Sequence, residues 1–327
     1  MPINGGKTMS YYVYFVNLSS KAHINKAPEY SSANPGEKFP MPEPLTLQLL
    51  GLLSDDELAK VERIRSSERR EKSLWVRALV RILLSRHSDI APQQWRFEYG
   101  KHGKPRLTDA QFKHSGISFN LSHSGDWFMI AIACMNNPNQ LASSGDCQPI
   151  MLGADIERLR SRTDIHAILN NYFSELEITQ LQQLPESEQR QRFFDLWALK
   201  ESFIKAEGSG LALSLKSFAF DFRHVVSSKA ELQTLENTVN ESTENESTAN
   251  ESESIHYLPT LDGIGLEFDD AKLGDIKKTN LAKQKWQVQF GYLNQEYRFA
   301  ITSNIAGKTN WQFSLVDKVQ LAQMLGR

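Results

Sequence analysis

Hydrophobic positions along this chain change their period more than once, and the changes mark its elements. Residues 11–18 form a compact apolar run that predicts an edge or pairing strand, and the Pro-, Ser-, Asn- and Gly-rich stretch at 21–44 predicts irregular backbone. Ser54, Asp55, Asp56 and Glu57 stand in the order of a helix capping box, with Leu53 and Leu58 spaced as its hydrophobic staple. Leu58, Val61 and Ile64 then recur at helical spacing, as do Leu74, Ala78 and Ile82 beside Trp75, Leu79 and Leu83. From residue 95 the period falls to two. Trp95 and Phe97 alternate with polar neighbours, and so do Ile117, Phe119 and Leu121. Residues 127–135 are almost wholly apolar, which predicts a strand covered on both faces, reached through a turn at Ser124, Gly125 and Asp126. The polar stretch 136–149 reads as a long loop, after which 150–156 resumes as a strand.

The second half opens with helical patterns near 164–172 and 175–184 and a longer one over roughly 187–207, closed by Gly208. Strand-like runs follow at 216–222, 286–292, 297–303 and 311–316, with Trp286, Val288, Phe290 and Tyr292 sharing a face. No regular strand–helix–strand alternation is present, so the predicted class is α+β with mostly antiparallel strands. The 327 residues suit two units, 1–150 and 151–327. Residues 240–254 repeat a five-residue Asn-Glu-Ser theme that buries no apolar area, so 227–260 is expected to be an acidic, disordered insertion.

Two cysteines without a spacing pattern exclude a disulfide scaffold and a thiolate zinc site. No apolar run reaches the roughly 20 residues of a membrane span, and no signal peptide is legible, so the expectation is a cytoplasmic protein without a membrane partner. A formal charge of -2 argues against a nucleic-acid binder, but it is an average. Segment 227–260 holds seven Glu and one Lys, net -6, which leaves +4 on the rest; residues 60–86 alone carry nine Lys/Arg against three Glu. Such a body suits a polyanionic ligand and an acidic partner.

Five short motifs concentrate the chemistry. Asp155 and Glu157, two apart on a strand, turn two carboxylates to one side, where a cation is the natural remedy for their repulsion; an exposed, solvated strand end is the alternative. Trp197, Glu201 and Lys205 share one helix stripe, either as a surface ion pair over a core Trp or as groups beside an anion, with Lys200 adjacent. Ser122 and His123 lie on opposite faces of one strand, so they cannot be a nucleophile–base pair, and the surrounding residues lack the Gly-x-Ser-x-Gly elbow. Gly103, Lys104 and Pro105 form a basic loop without Walker spacing. Ser174 to Glu177 is a second capping box, preceded by Phe173.

The ordered series Gly103–Pro105, Phe119–Gly125, Gly153–Glu157, Phe173–Glu177 and Trp197–Leu211 resembles the 4′-phosphopantetheinyl transferases of the surfactin-synthetase-activating (Sfp) type. The resemblance implies two similar α+β subdomains related by a pseudo-twofold, with coenzyme A in the cleft between them. It implies Mg²⁺-dependent transfer of the phosphopantetheine arm of CoA to a serine of an apo acyl or peptidyl carrier protein, releasing adenosine 3′,5′-bisphosphate. Carried over by position, Asp155, Glu157 and Glu201 are metal ligands, Lys200 and Lys205 contact the CoA phosphates, and Glu177 is the general base. Ser122 and His123 then lie near the nucleotide phosphates, Gly103, Lys104 and Pro105 near adenine, and Lys60, Lys72 and Ser73 around the 3′-phosphate. Ala154 replaces a commoner larger aliphatic residue, and the 136–149 loop and the acidic repeat are longer than the family pattern. From the residues alone, a metal-dependent phosphohydrolase or a non-catalytic binding module stays open, as does a helix-capping role for Glu177. A fused pair of subdomains is expected to act as a monomer.

Overall fold

The computed structural model describes residues 9–19, 44–135, 149–234, 256–273, 281–304, 309–316 and 321. The irregular stretch, the long loop and the acidic repeat expected at 21–44, 136–149 and 240–254 lie almost entirely outside the described residues. In the first half the order is β1 (Met9–Asn17), α1 (Pro44–Leu52), α2 (Asp55–Glu62), α3 (Ser67–Ser85), β2 (Phe97–Tyr99), β3 (Pro105–Leu107), α4 (Asp109–Ser115), β4 (Ile117–Ser124) and β5 (Trp127–Met135). The second half runs β6 (Leu152–Arg158), α5 (Ile165–Tyr172), α6 (Glu175–Gln182), α7 (Glu186–Glu207), β7 (Phe218–Asp221), β8 (Val226–Thr234), β9 (His256–Asp262), β10 (Gly265–Phe268), β11 (Gln287–Tyr292), β12 (Tyr297–Ser303) and β13 (Thr309–Val316). The α+β class holds, and both capping boxes form as expected, at Ser54 and at Ser174.

The strands do not divide into two small sheets. Among the described residues nine of them form one sheet in the order β4-β5-β1-β13-β8-β9-β11-β12-β6, with two-stranded ladders β7–β10 and β2–β3 beside it. Most neighbours are antiparallel, but β13 runs parallel to both β1 and β8. The compact run at the start of the chain is therefore an inner strand, flanked by β5 and β13. Continuity also corrects the reading of 227–260 as wholly an insertion, because β8 and the start of β9 fall inside it and pair in register from Val226↔Asp262 to Leu232↔His256. Ala230, Leu232 and Leu258 pack on the central core, and that two-residue period outweighs the polar composition around it.

The two ends of the sheet meet. Alternate residues of β4 present a polar row, and its side chains take up backbone N–H groups along β6 and just before it. Ser118 Oγ accepts from Ile150 N at 3.2 Å, Asn120 Oδ1 from Ala154 N at 2.9 Å, and Ser124 Oγ from Arg158 N at 3.1 Å. The opposite face of β4 (Ile117, Phe119) packs into an apolar core with α1–α3 and Trp95. A second core gathers α5–α7 with β7, β11 and β12. Between them a third core joins both arms of the sheet, with Tyr11, Val13 and Phe15 of β1 against Ala154, Ile156, Phe299 and Phe313. The junction of β4 with β6 is thus a polar seam inside an apolar frame. Among the described residues no helix is long and apolar enough to cross a membrane.

Candidate active site at the seam

The seam carries the predicted site. Asp155 lies on β6 with its carboxylate buried, and Glu157 two residues on is half-buried on the same side. Helix α7 crosses behind β6 at the closest possible range, because residue 153 is glycine. A Cβ built there would strike the carbonyl of Ser202 and the backbone of Ala206. That approach brings Lys205 onto Asp155. Lys205 Nζ donates to Asp155 Oδ1 at 2.7 Å and to Ser122 Oγ at 2.9 Å, and Ser122 Oγ donates to the same Oδ1 at 2.8 Å. Ser124 Oγ donates to Glu157 Oε2 at 3.3 Å while accepting from Arg158 N. Glu201, one helical turn before Lys205, adds a third carboxylate. Helix α7 then stops at Gly208, which takes φ 86° and donates its N–H to Ile204 O, as expected of a C′ glycine.

Burial disfavours the charge of all three carboxylates, and Asp155 disfavours that of the two glutamates. Burial raises Asp155, Glu157 and Glu201 alike, and for the two glutamates the neighbouring Asp155 charge adds to it; Glu157 reaches about 7. Lys205 offsets only part of this. Asp155 Oδ2 is buried and has no hydrogen-bond partner. An orphaned carboxylate oxygen beside two further acids is a donor set of hard oxygens, which suits Mg²⁺ better than a soft metal. Among the described residues no three His, Cys, Asp or Glu side chains form a ready-made cage. The fit is therefore to a cation that draws its remaining ligands from substrate phosphates and water, as Mg²⁺ does.

Beside the acids opens a cavity of about 390 Å³ lined by His102, Gly103, Lys104, Pro105, Glu201 and Lys205 among others. A second of about 190 Å³, lined by Arg77, Tyr99 and Phe119, shares Gly103, Pro105 and Leu121 with it. His123 points to the opposite face of β4 from Ser122 and is exposed. Its pKa is lowered by partial burial, then by the Lys205 charge, with a smaller push from Lys72. Lys72 reaches the β4–β5 turn, donating to Asp126 Oδ1 at 2.8 Å. Ser73 accepts from Arg77 Nη1 at 2.9 Å, and Lys60 lies 4.3 Å over the Tyr99 ring while pairing with Asp56.

The structure brings Ser122, Asp155, Glu157, Glu201 and Lys205 together, with Gly103, Lys104 and Pro105 at the adjoining cavity. It sets Glu177 and Lys200 apart. Their side chains are 0% and 1% exposed and form an ion pair at 2.8 Å inside the second half. Glu177 also accepts from Ser174 N and Oγ and from Phe220 N, and Lys200 donates to Leu215 O and Phe218 O. Lys200 precedes Glu201 on α7, so when Glu201 and Lys205 face β6 it turns about 100° away, toward α6 and β7. Neither side chain lines either cavity. The base and phosphate-contact roles implied by resemblance thus fall on groups that this arrangement commits to the core. Three residues of the seam, Ser118, Asn120 and Ser124, are not among the site residues expected from sequence, although Asn120 and Ser124 lie within the Phe119–Gly125 motif. Their signal was the polar row alternating with Ile117, Phe119 and Leu121.

Comparison with known proteins supports the family resemblance carried by the motifs. Residues 40–135 match the 4′-phosphopantetheinyl transferase N-terminal family, and residues 151–257 match the 4′-phosphopantetheinyl transferase superfamily. Among similar proteins, the 4′-phosphopantetheinyl transferase HetI of Nostoc sp. is 31% identical over 195 residues, covering 60% of this chain and 72% of its own length. The transferase Sfp of Bacillus subtilis is 33% identical over 172 residues, 53% of this chain and 67% of its own. The transferase ffp of Bacillus subtilis is 32% identical over 180 residues, 55% of this chain and 71% of its own. The chain belongs to the 4′-phosphopantetheinyl transferase family.

Proposed function

We propose that this enzyme transfers the phosphopantetheine arm of CoA to a serine of an apo carrier protein at the β4–β6 seam, with Mg²⁺ held by Asp155, Glu157 and Glu201. The observation that supports this reading is the buried, unpartnered Asp155 Oδ2 in a cluster of three carboxylates, two of them pushed up by the Asp155 charge, beside a 390 Å³ cavity. When bound, the cation supplies Lewis acidity and orients the pyrophosphate for in-line displacement. Lys205, fixed by Asp155 and Ser122, holds an ammonium where negative charge accumulates as the nucleotide departs. His123 and Lys72 bring further N–H donors to the phosphate side, and Gly103 and Pro105 wall the cavity that receives adenine. Lys60 and Ser73 lie toward the 3′-phosphate end. Ser122 and Ser124 orient the two β6 carboxylates.

Glu177 and Lys200 act by tying α6 and β7 to α7, and the proton of the carrier serine leaves to water at the seam. The two halves, 1–150 and 151–327, are read as similar subdomains working as one cytoplasmic monomer, without nucleic acid. The test combines the protein with CoA, Mg²⁺ and a panel of apo-carrier proteins and weighs the carriers. A phosphopantetheine mass gain on a carrier serine, lost on chelation, is the expected result. CoA cleavage without carrier modification would instead identify a phosphohydrolase.

A further inference from the structure

Lys104 lines the cavity, yet its ammonium is bonded to backbone and not left for a ligand. It lies at the end of the β2–β3 hairpin turn, where Gly100 N donates to Lys104 O at 3.0 Å. Its ammonium crosses to the other half of the protein. Nζ donates to the Leu152 carbonyl at 2.9 Å, to the Ala206 carbonyl at 3.3 Å and to the Lys205 carbonyl. Three acceptors match the three N–H bonds of an ammonium. Two of those carbonyls belong to the last turn of α7, where helix geometry leaves them without internal partners and where the dipole favours a cation. The third opens β6. Burial draws the Lys104 pKa down to about 8, against the opposing charge of Glu207.

We propose that Lys104 is a positioning residue: a staple from the first half that fixes the end of α7 to the start of β6 and so sets Lys205 and Glu201 against Asp155 and Glu157. Lys205 offers its carbonyl to Lys104 and its ammonium to Asp155, so one residue transmits the constraint directly to the site. Leu152 is three residues from Asp155 on the same strand. The catalytic geometry of the second half is thus secured by a side chain of the first, on the same hairpin that walls the ligand cavity. The inference rests on the transferase reading for the meaning of the site, and differs from it in giving Lys104 a protein partner where the resemblance implies a nucleotide one.

The experiment has two arms. In the wild-type protein, each lysine's reactivity toward an amine-acylating reagent is mapped by mass spectrometry with and without CoA. Lys104 is expected to be protected in both states, whereas Lys205 becomes further protected with CoA. Acylation of Lys104 in the free protein would overturn the proposal. In Lys104→Met, affinity for adenosine 3′,5′-bisphosphate is expected to stay within about twofold of wild type, while kcat for carrier modification falls about 10- to 100-fold, the scale of an ångström-level misplacement. A tenfold loss of nucleotide affinity with kcat preserved would show Lys104 to be a ligand contact, and an unchanged kcat in the folded variant would show a cap without consequence for the site. If Lys104→Met does not fold, the protection pattern decides. If the wild type modifies no carrier, the transferase reading fails, and the protection and nucleotide measurements still judge the staple.

Discussion

Glu177 is the residue on which sequence resemblance and structure give opposite instructions, and its substitution separates them. Its carboxylate accepts from Ser174 N at 2.9 Å, Ser174 Oγ at 2.9 Å, Phe220 N at 3.0 Å and Lys200 Nζ at 2.8 Å, and no part of it is exposed. Removing one member of a buried ion pair costs about 3–5 kcal/mol, because the other charge is left uncompensated. For Lys200→Met the remaining three donors still serve Glu177, which places the cost near the lower end, about 3 kcal/mol. Glu177→Gln loses the ion pair and turns an amide N–H₂ toward one of these donors, so about 3–4 kcal/mol is expected. The double variant Glu177→Gln/Lys200→Met removes both charges and should be less destabilised than the sum by about 2 kcal/mol, within the range of coupling for contacting residues. Urea denaturation followed by Trp fluorescence measures all three, and carrier modification measures the activity of the folded fraction. Loss of a general base would lower kcat about 10²- to 10⁴-fold without moving the denaturation midpoint. A Glu177→Gln protein with wild-type stability and kcat down 100-fold would refute the structural reading and restore the base.

Three further outcomes can be measured. Gly153→Ala places a Cβ against the Ser202 and Ala206 backbones, so α7 must back away from β6; at least about 2 kcal/mol of stability and most activity should be lost, and wild-type behaviour would show the approach to be adjustable. Asp155→Asn should abolish carrier modification, falling at least about 10³-fold, with near-wild-type thermal unfolding; retained transfer would remove Asp155 from the metal site. His87, whose ring centroid lies 4.0 Å from that of Tyr12 in a tilted pair and whose Nε2 is 2.9 Å from Tyr14 Oη, has its pKa lowered to about 4 first by burial and then by Arg86. A folded pKa below the unfolded 6.5 means that the unfolded chain binds the extra proton, so this contribution is complete above pH 6.5 and is lost as pH falls toward 4, about 3 kcal/mol in all. His87→Phe should flatten that part of the stability–pH profile, and an unchanged profile would contradict it.

Local signals survived folding intact wherever they concerned one element. The capping boxes at Ser54 and Ser174, the C′ glycine at Gly208 and the buried strand after Gly125 all stand where spacing puts them. So does the shared direction of Asp155 and Glu157, which follows from the two-residue period alone. What escaped was set by distant partners. That β1 is an inner strand depends on β13, some 300 residues away, and that 226–234 is a strand depends on its pairing with β9. Lys200 shows the same limit within the site. Motif order places it beside Glu201, but the sense in which α7 is rotated, fixed by Gly153 against Ser202 and Ala206, turns it into the core. Lys104 is the converse, a cavity-lining position whose side chain is spent on carbonyls that only the assembled halves supply.

The pairing of β1 with β13 carries a consequence for how the protein is made. Tyr11 Oη donates to Ser303 Oγ across 292 residues of chain, and Met9 to Val16 are in register with Thr309 to Val316. Ribosomes add about 5–20 residues per second, so β1 waits roughly 15–60 s for its partner after it has emerged. In that interval β5 can close one of its edges, but the other leaves its backbone N–H and C=O groups unpaired, beside a face whose Tyr11, Val13 and Phe15 lack their later core partners Phe299 and Phe313. The N-terminal half is therefore a nascent chain that cannot finish its own sheet, and the neighbour that completes it is a strand synthesised some 300 residues later.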